Sequence, residues 1–241
     1  MIRLILIILF LIIFFLISIP IYLVLYLIGL CSKNARDKIS IAIVRGAFRI
    51  ILWIAGTKVT VYGKENIPKD TACLFVGNHS GFFDILVGYT QTPGLLGFVS
   101  KKEIKKVPFL NLWMYFVNCI FLDRKNMRTA MQMLVDGMEK IKEGISIFIF
   151  PEGTRSKDGK MAPFKEGSFK MATKTSAPIV PVALTGTAAV FENQFPLIRR
   201  SNVTISYGKP LYPADFDKET QRHIGELAQN EVKELLEKVK S

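Results

Sequence analysis

Between Leu4 and Cys31 the chain carries no charged side chain, a run of 28 residues. Coiled as a helix, such a run measures roughly 42 Å, longer than the roughly 30 Å hydrocarbon core of a bilayer. It is too long for a signal-peptide core, and no small-residue cleavage site follows it. The run therefore reads as a retained membrane segment. Pro20 interrupts it and is placed to kink it or divide it in two. Basic residues flank both ends, Arg3 before and Lys33, Arg36 and Lys38 after, so charge gives no orientation. The next stretch, Ile39 to Ala55, is apolar but holds Arg45 and Arg49, which share a helical stripe with Lys38. Ile41, Val44, Phe48, Ile51 and Leu52 lie opposite. Two arginines near a bilayer centre are costly, so this helix is expected along the interface. Packing on a soluble domain is the alternative.

The rest of the chain is long enough for one sizeable domain. The net charge is +12 although half of the residues are hydrophobic. Basic clusters occur at Lys101, Lys102, Lys105 and Lys106, at Arg124, Lys125 and Arg128, and from Arg155 through Lys174. Such a surface suits anionic lipid or phosphorylated substrates. No basic helix with interleaved aromatics accompanies the charge, which argues against nucleic acid as a partner. Cys31, Cys73 and Cys119 stand in apolar surroundings without metal-type spacing, and read as buried thiols in a reducing compartment. No metal site is expected.

After Gly56 the pattern changes to short β-type runs alternating with helical stretches. Strands are expected at Lys58 to Tyr62, Ala72 to Val76, Leu95 to Val99, Cys119 to Leu122, Ser146 to Phe150, Ile179 to Leu184 and Val203 to Tyr207. Helices are expected at Phe83 to Tyr89, Met127 to Lys142, Ser168 to Thr175 and Asp217 to Val239. The run from Ile145 to Phe150 is nearly all apolar, as in a strand buried on both faces. The expected fold class is α/β, a mostly parallel central sheet flanked by helices, with an N-terminal helical membrane-anchoring segment. Residues 1–56 would form that segment and residues 57–241 the α/β domain.

Three strand ends carry chemistry. Asn78-His79-Ser80-Gly81-Phe82-Phe83-Asp84 follows an apolar strand and places a carboxylate five residues after one of only two histidines. One regular helix would turn the two groups about 140° apart, and an extended chain would separate them by roughly 16 Å. Contact therefore needs a tight turn, with His79 on it and Asp84 in the first helical turn beyond; Ser80-Gly81 suits that turn. A carboxylate so placed fixes the imidazole tautomer, and the pair suggests proton abstraction from a hydroxyl. Phe150-Pro151-Glu152-Gly153-Thr154-Arg155-Ser156 follows the buried strand, with a glycine, two hydroxyls and a guanidinium suited to phosphate. Phe121-Leu122-Asp123-Arg124 ends a third strand in another guanidinium. His223 reads as a surface residue.

These segments, with Val180-Pro181-Val182, occur in the order of the four sequence blocks of the glycerolipid acyltransferase family, the first being its HX4D motif. The chain resembles the 1-acylglycerol-3-phosphate acyltransferases of that family over roughly residues 60 to 210. It departs at Gly81, a position often Ser in the family, and around Asn118 and Cys119, where a Gly often precedes the second block.

The resemblance implies a membrane-bound enzyme of phospholipid synthesis. It would move a fatty acyl group from an acyl thioester, carried by coenzyme A or acyl carrier protein, to the sn-2 hydroxyl of lysophosphatidic acid, giving phosphatidic acid. No cofactor is implied beyond that co-substrate. His79 would act as general base and Asp84 would orient it. Arg124 and Arg155 would hold the phosphate, Glu152, Gly153 and Thr154 would shape the polar pocket, and Lys102 resembles a lysine often found before the second block. Oxyanion donors are expected from backbone N–H groups of the turn or from Asn78. An anionic membrane would hold the catalytic domain on its cytoplasmic face. Two alternatives stay open: sn-1 acylation of glycerol 3-phosphate, and a non-catalytic protein that binds anionic membranes.

Overall fold

Apolar runs too dense for a half-solvated strand must be covered on both sides. The computed structural model, which describes residues 1–123, 126–156 and 160–240, shows them so covered. The strands are β1 (Lys58–Tyr62), β2 (Leu74–Gly77), β3 (Leu96–Lys101), β4 (Ile120–Leu122), β5 (Ser146–Ile149), β6 (Ile179–Thr185) and β7 (Asn202–Tyr207). They form one sheet in the order β1-β7-β6-β2-β5-β3-β4. From β6 across to β4 every pairing is parallel, whereas β7 runs antiparallel to β6 and carries β1 with it. The fold is the mostly parallel α/β sheet expected, and each expected strand lies within two residues of an observed one.

Alternation along the strands divides the core in two. Phe75 and Phe148 stack on one face at 6.0 Å, beneath α2 (Lys33–Ala55) and α3 (Phe83–Gln91). Leu74, Val76, Ile147 and Ile149 point the other way. They meet Met171 and Ala172 of α6 (Lys170–Thr175) and Ile224, Ala228 and Val232 of α8 (Ile224–Lys240). The amphipathic α5 (Met127–Lys142) covers the same face through Met133 and Ile141.

Several elements differ from expectation. The final helix is two: α7 (Lys218–Arg222), started by Asp217 accepting from the Thr220 N–H at 2.7 Å, and α8, with the exposed His223 between them. Nothing in the sequence signalled α4 (Leu110–Phe116), whose composition is apolar almost all round. Cys31 is exposed rather than buried, while Cys73 is buried and Cys119 half-buried.

The apolar run becomes a single helix, α1 (Ile2–Cys31), continuous through Pro20. It is long and apolar enough to cross a bilayer, and only 11% of its most apolar window is buried. One stripe of it rests on α4. Trp113 donates to Ser18 Oγ at 2.8 Å, and Tyr22 donates to the Phe109 carbonyl at 2.8 Å. Phe14 stacks on Trp113 with centroids 5.5 Å apart.

The position of α2 corrects the interfacial expectation. Its apolar stripe, with Ile41, Val44, Ile51 and Leu52, is buried in the core shared with α3 and the sheet. Arg45 turns inward and donates to the carbonyls of Tyr89, Thr92 and Gly94 at 2.8, 2.6 and 2.7 Å. A guanidinium at a helix C-terminus satisfies acceptors that otherwise lack partners, so one charged side chain terminates α3 and fastens α2 to it. Only Arg49 and Lys38 of the basic stripe remain exposed. Arg45→Ala is therefore expected to lower unfolding stability by at least about 2 kcal/mol in a denaturant titration, because three carbonyls lose a charged donor. A helix lying free of the domain would show no such loss.

Candidate active site

Parallel strands send their C-terminal ends to one side, and the loops leaving them share that side. His79 follows β2, Lys101 closes β3, Asp123 follows β4, Pro151 to Ser156 follow β5, and Glu192 lies in the connection after β6. His79, Lys101, Pro151, Gly153 to Ser156 and Glu192 border a cleft of about 630 Å³, with Leu122 at the end of β4. Its apolar lining includes Ile85, Val99, Ile104, Leu122 and Phe150; its polar lining includes His79, Thr154, Arg155, Ser156 and Lys165.

The turn after β2 has the form the spacing required. Asp84 is the second residue of α3, wholly buried, and its Oδ2 lies 2.7 Å from His79 Nδ1. The same oxygen accepts the N–H groups of Ser80 at 2.7 Å and Gly81 at 2.8 Å. The imidazole lies flat against Phe150, with centroids 4.1 Å apart and planes 8° apart. With one ring nitrogen held by Asp84 and one ring face on Phe150, the remaining nitrogen, Nε2, is the group available to the cleft.

The neighbouring N–H groups are taken in the same way. Glu152 Oε1 accepts from the His79 N–H at 2.7 Å, and Glu192 Oε1 accepts from the Phe82 N–H at 2.6 Å. Four consecutive backbone donors, residues 79 to 82, thus end on three carboxylates. Asn78 is committed as well. Its side chain donates to the Leu184 carbonyl and accepts from the Leu184 N–H, both at 2.8 Å, which joins the exit of β2 to β6. The turn amides of residues 79 to 82 and one N–H of the Asn78 amide are thus committed within the protein.

The loop after β5 divides its tasks. Glu152 is buried, and its second oxygen accepts from the Ala162 N–H at 2.8 Å. Burial raises its carboxyl pKa, while the two N–H bonds and the nearby His79 oppose the rise. It ties the loop after β5 to the backbone of His79 and Ala162 and does not itself line the cleft. Gly153 adopts a φ of 78°, a left-handed conformation in which a side chain is strained. A Cβ there would stand 2.9 Å from Lys165 Nζ. Arg155 lies over the Phe82 ring, 4.1 Å from its centroid, and its Nη1 is 3.1 Å from Glu192 Oε1.

One residue expected to bind substrate stands apart from this group. Lys102 does not line the cleft; it pairs with Asp123 Oδ2, which raises its pKa. The adjacent Lys101, the last residue of β3, lines the cleft instead, while Lys102 begins the short 3-10 turn that follows the strand. Arg124 lies outside the described residues. Lys101, Lys165 and Glu192 were not singled out as site residues from the sequence. Two are lysines within longer basic stretches, and Glu192 joins the site only through the return of β6 beside β2.

Known proteins resemble this chain in sequence and in fold. A family model described as Acyltransferase matches residues 58–185. The chain is 37% identical over 154 residues to a 1-acyl-sn-glycerol-3-phosphate acyltransferase of Borreliella burgdorferi, covering 64% of this chain and 62% of that one. It is likewise 37% identical over 164 residues to a chloroplastic 1-acyl-sn-glycerol-3-phosphate acyltransferase of Brassica napus, covering 66% and 47%. The chain thus spans about half to three-fifths of the length of these relatives. The crystal structure of the 1-acyl-sn-glycerophosphate (LPA) acyltransferase PlsC of Thermotoga maritima superposes with a TM-score of 0.77 at 26% identity, over 100% of this chain and 97% of the other. With the family model matching more than half of its length, the chain belongs to the acyltransferase family.

Proposed function

We propose that the protein transfers a fatty acyl group from a coenzyme A or carrier-protein thioester to the sn-2 hydroxyl of lysophosphatidic acid. The single observation that carries this reading is the His79–Asp84 contact at the head of a cleft with an apolar lining and a cationic rim. Asp84 holds the proton on Nδ1, so Nε2 faces the acceptor hydroxyl as a base. As Nε2 takes the hydroxyl proton, the oxygen attacks the thioester carbonyl. Collapse of the tetrahedral adduct breaks the carbon–sulfur bond, and the leaving thiolate takes the proton back from the imidazolium. Asp84 supports the charged ring between those steps. Arg155, with Lys101 and Lys165, meets the acceptor phosphate, while Val99, Ile104 and Leu122 offer apolar surface to an acyl chain.

The relatives named as acting on 1-acylglycerol 3-phosphate favour that acceptor over glycerol 3-phosphate. Purified protein given one acyl thioester should therefore release thiol with lysophosphatidic acid and far less with glycerol 3-phosphate. His79→Ala should lower that rate by about 10²–10⁴-fold with an unchanged melting temperature. Turnover near that of the unsubstituted protein would remove His79 from the mechanism.

The acceptor resides in a bilayer, and the topology suggests which end meets it. Because β1 and β7 oppose the central strands, their first residues, Lys58 and Asn202, lie at the same end as His79. There Trp53, 80% exposed at the end of α2, borders an open cleft with Lys58 and Arg200. An exposed indole beside basic side chains suits an anionic lipid–water interface, and the apolar surface of α1 supplies further contact. The protein would sit on the cytoplasmic face of the cell membrane, where thioesters are present. Of the two tryptophans, Trp113 is buried, so emission changes on lipid binding report Trp53. Vesicles containing phosphatidylglycerol should shift the emission to the blue more than phosphatidylcholine vesicles do, and Trp53→Phe should abolish the shift. A shift that survives in Trp53→Phe would place the contact elsewhere.

A further inference from the structure

Gly81 departs from the residue often found at its position, and its backbone does not require a glycine, since its φ is not among the positive values. What it provides is space. A Cβ built there would stand 2.6 Å from Glu192 Oε2 and 3.0 Å from Glu192 Cδ. The Glu192 carboxylate occupies the volume that a side chain at 81 would fill.

From that position Glu192 fastens three loops. Its Oε1 receives the Phe82 N–H at 2.6 Å and Arg155 Nη1 at 3.1 Å. Arg155 in turn lies over the Phe82 ring at 4.1 Å. The guanidinium is thus held on one side by a carboxylate and on one face by an aromatic ring, although its side chain is 39% exposed. An exposed arginine without such ties samples many rotamers, and that entropy is lost on binding an anion. Among the described residues, Glu192 Oε2 is buried with no hydrogen-bond partner. A carboxylate is therefore kept in tight quarters although only one of its oxygens is bonded. The bonded oxygen is the one that reaches Arg155.

We infer that Glu192 is a positioning residue for phosphate recognition: it presets the Arg155 guanidinium at the cleft rim, and Gly81 is the glycine that makes room for it. The inference rests on the reading that Arg155 meets the acceptor phosphate. Glu192 touches neither the reacting hydroxyl nor the thioester. Its loss acts first on binding of the acceptor phosphate.

The test compares lysophosphatidic acid with its dephosphorylated counterpart, a 1-monoacylglycerol, as acceptors for the full-length protein. Glu192→Ala should raise KM for lysophosphatidic acid by about tenfold, the loss of roughly one charge-assisted hydrogen bond, with kcat and the thioester KM little changed. Activity toward the monoacylglycerol should fall far less than that toward lysophosphatidic acid. Glu192→Gln keeps a carbonyl oxygen for both donors and should restore the low KM. An unchanged KM in Glu192→Ala, or an equal rise for both acceptors, would overturn the proposal. So would a Glu192→Gln variant as impaired as Glu192→Ala. Unsubstituted protein that fails to use lysophosphatidic acid would instead defeat the functional reading on which the proposal rests. The steric half is tested without activity, by thermal melting. Gly81→Ala should lower the melting temperature when Glu192 is present and leave it nearly unchanged in Glu192→Ala. Equal destabilisation in both backgrounds would contradict the pairing of Gly81 with Glu192.

Discussion

A buried carboxylate at the start of α3 organises the site. Asp84 is wholly enclosed, and its Oδ2 takes the Ser80 and Gly81 N–H groups as well as His79 Nδ1. Burying a charge is costly unless it is hydrogen-bonded, and three donors on Oδ2 supply part of that compensation, Oδ1 being buried without a hydrogen-bond partner among the described residues. The same bonds fold the chain between residues 79 and 84 into the only kind of turn that lets groups five residues apart touch. Structure and chemistry are therefore one interaction here: the contact that closes the turn also chooses which imidazole nitrogen faces the cleft.

The sheet carries that turn to its partners. Three carboxylates from three separate strand exits converge on the backbone of residues 79 to 82. Glu152 brings the loop after β5, and Glu192 the connection after β6. Backbone amides that in many sites are left to face a ligand are here used to hold loops together. That trades electrostatic reach for rigidity and leaves the cationic rim, with Lys101, Arg155 and Lys165, as the part of the cleft suited to an anion.

Much of this was legible in the sequence because strands buried on both faces announce themselves as dense apolar runs. Segments such as Ser146 to Phe150 have no helical competitor of sufficient length. The His79–Asp84 contact could likewise be argued from spacing alone, since only a turn satisfies it. Features that depend on which elements meet were not legible. Arg45 looked like a solvent-facing charge, yet it serves three carbonyls of a neighbouring helix end. Asn78 looked like a free donor, yet both its polar atoms join β6. Lys102 and Lys101 are indistinguishable in composition and separate only because β3 ends at Lys101 and a 3-10 turn begins at Lys102. Gly81 was visible as a departure, but its reason lies 111 residues further along the chain in Glu192.

The account rests on Asp84 fixing the proton of His79 on Nδ1. Two-bond proton–nitrogen correlation of the histidine rings in ¹⁵N-labelled protein observes this directly, and His223→Gln assigns the two rings by removing the exposed one. The neutral His79 ring should carry its proton on Nδ1, and Asp84→Ala should release that preference. A neutral ring protonated on Nε2 in the unsubstituted protein would leave no base facing the acceptor and would contradict the mechanism.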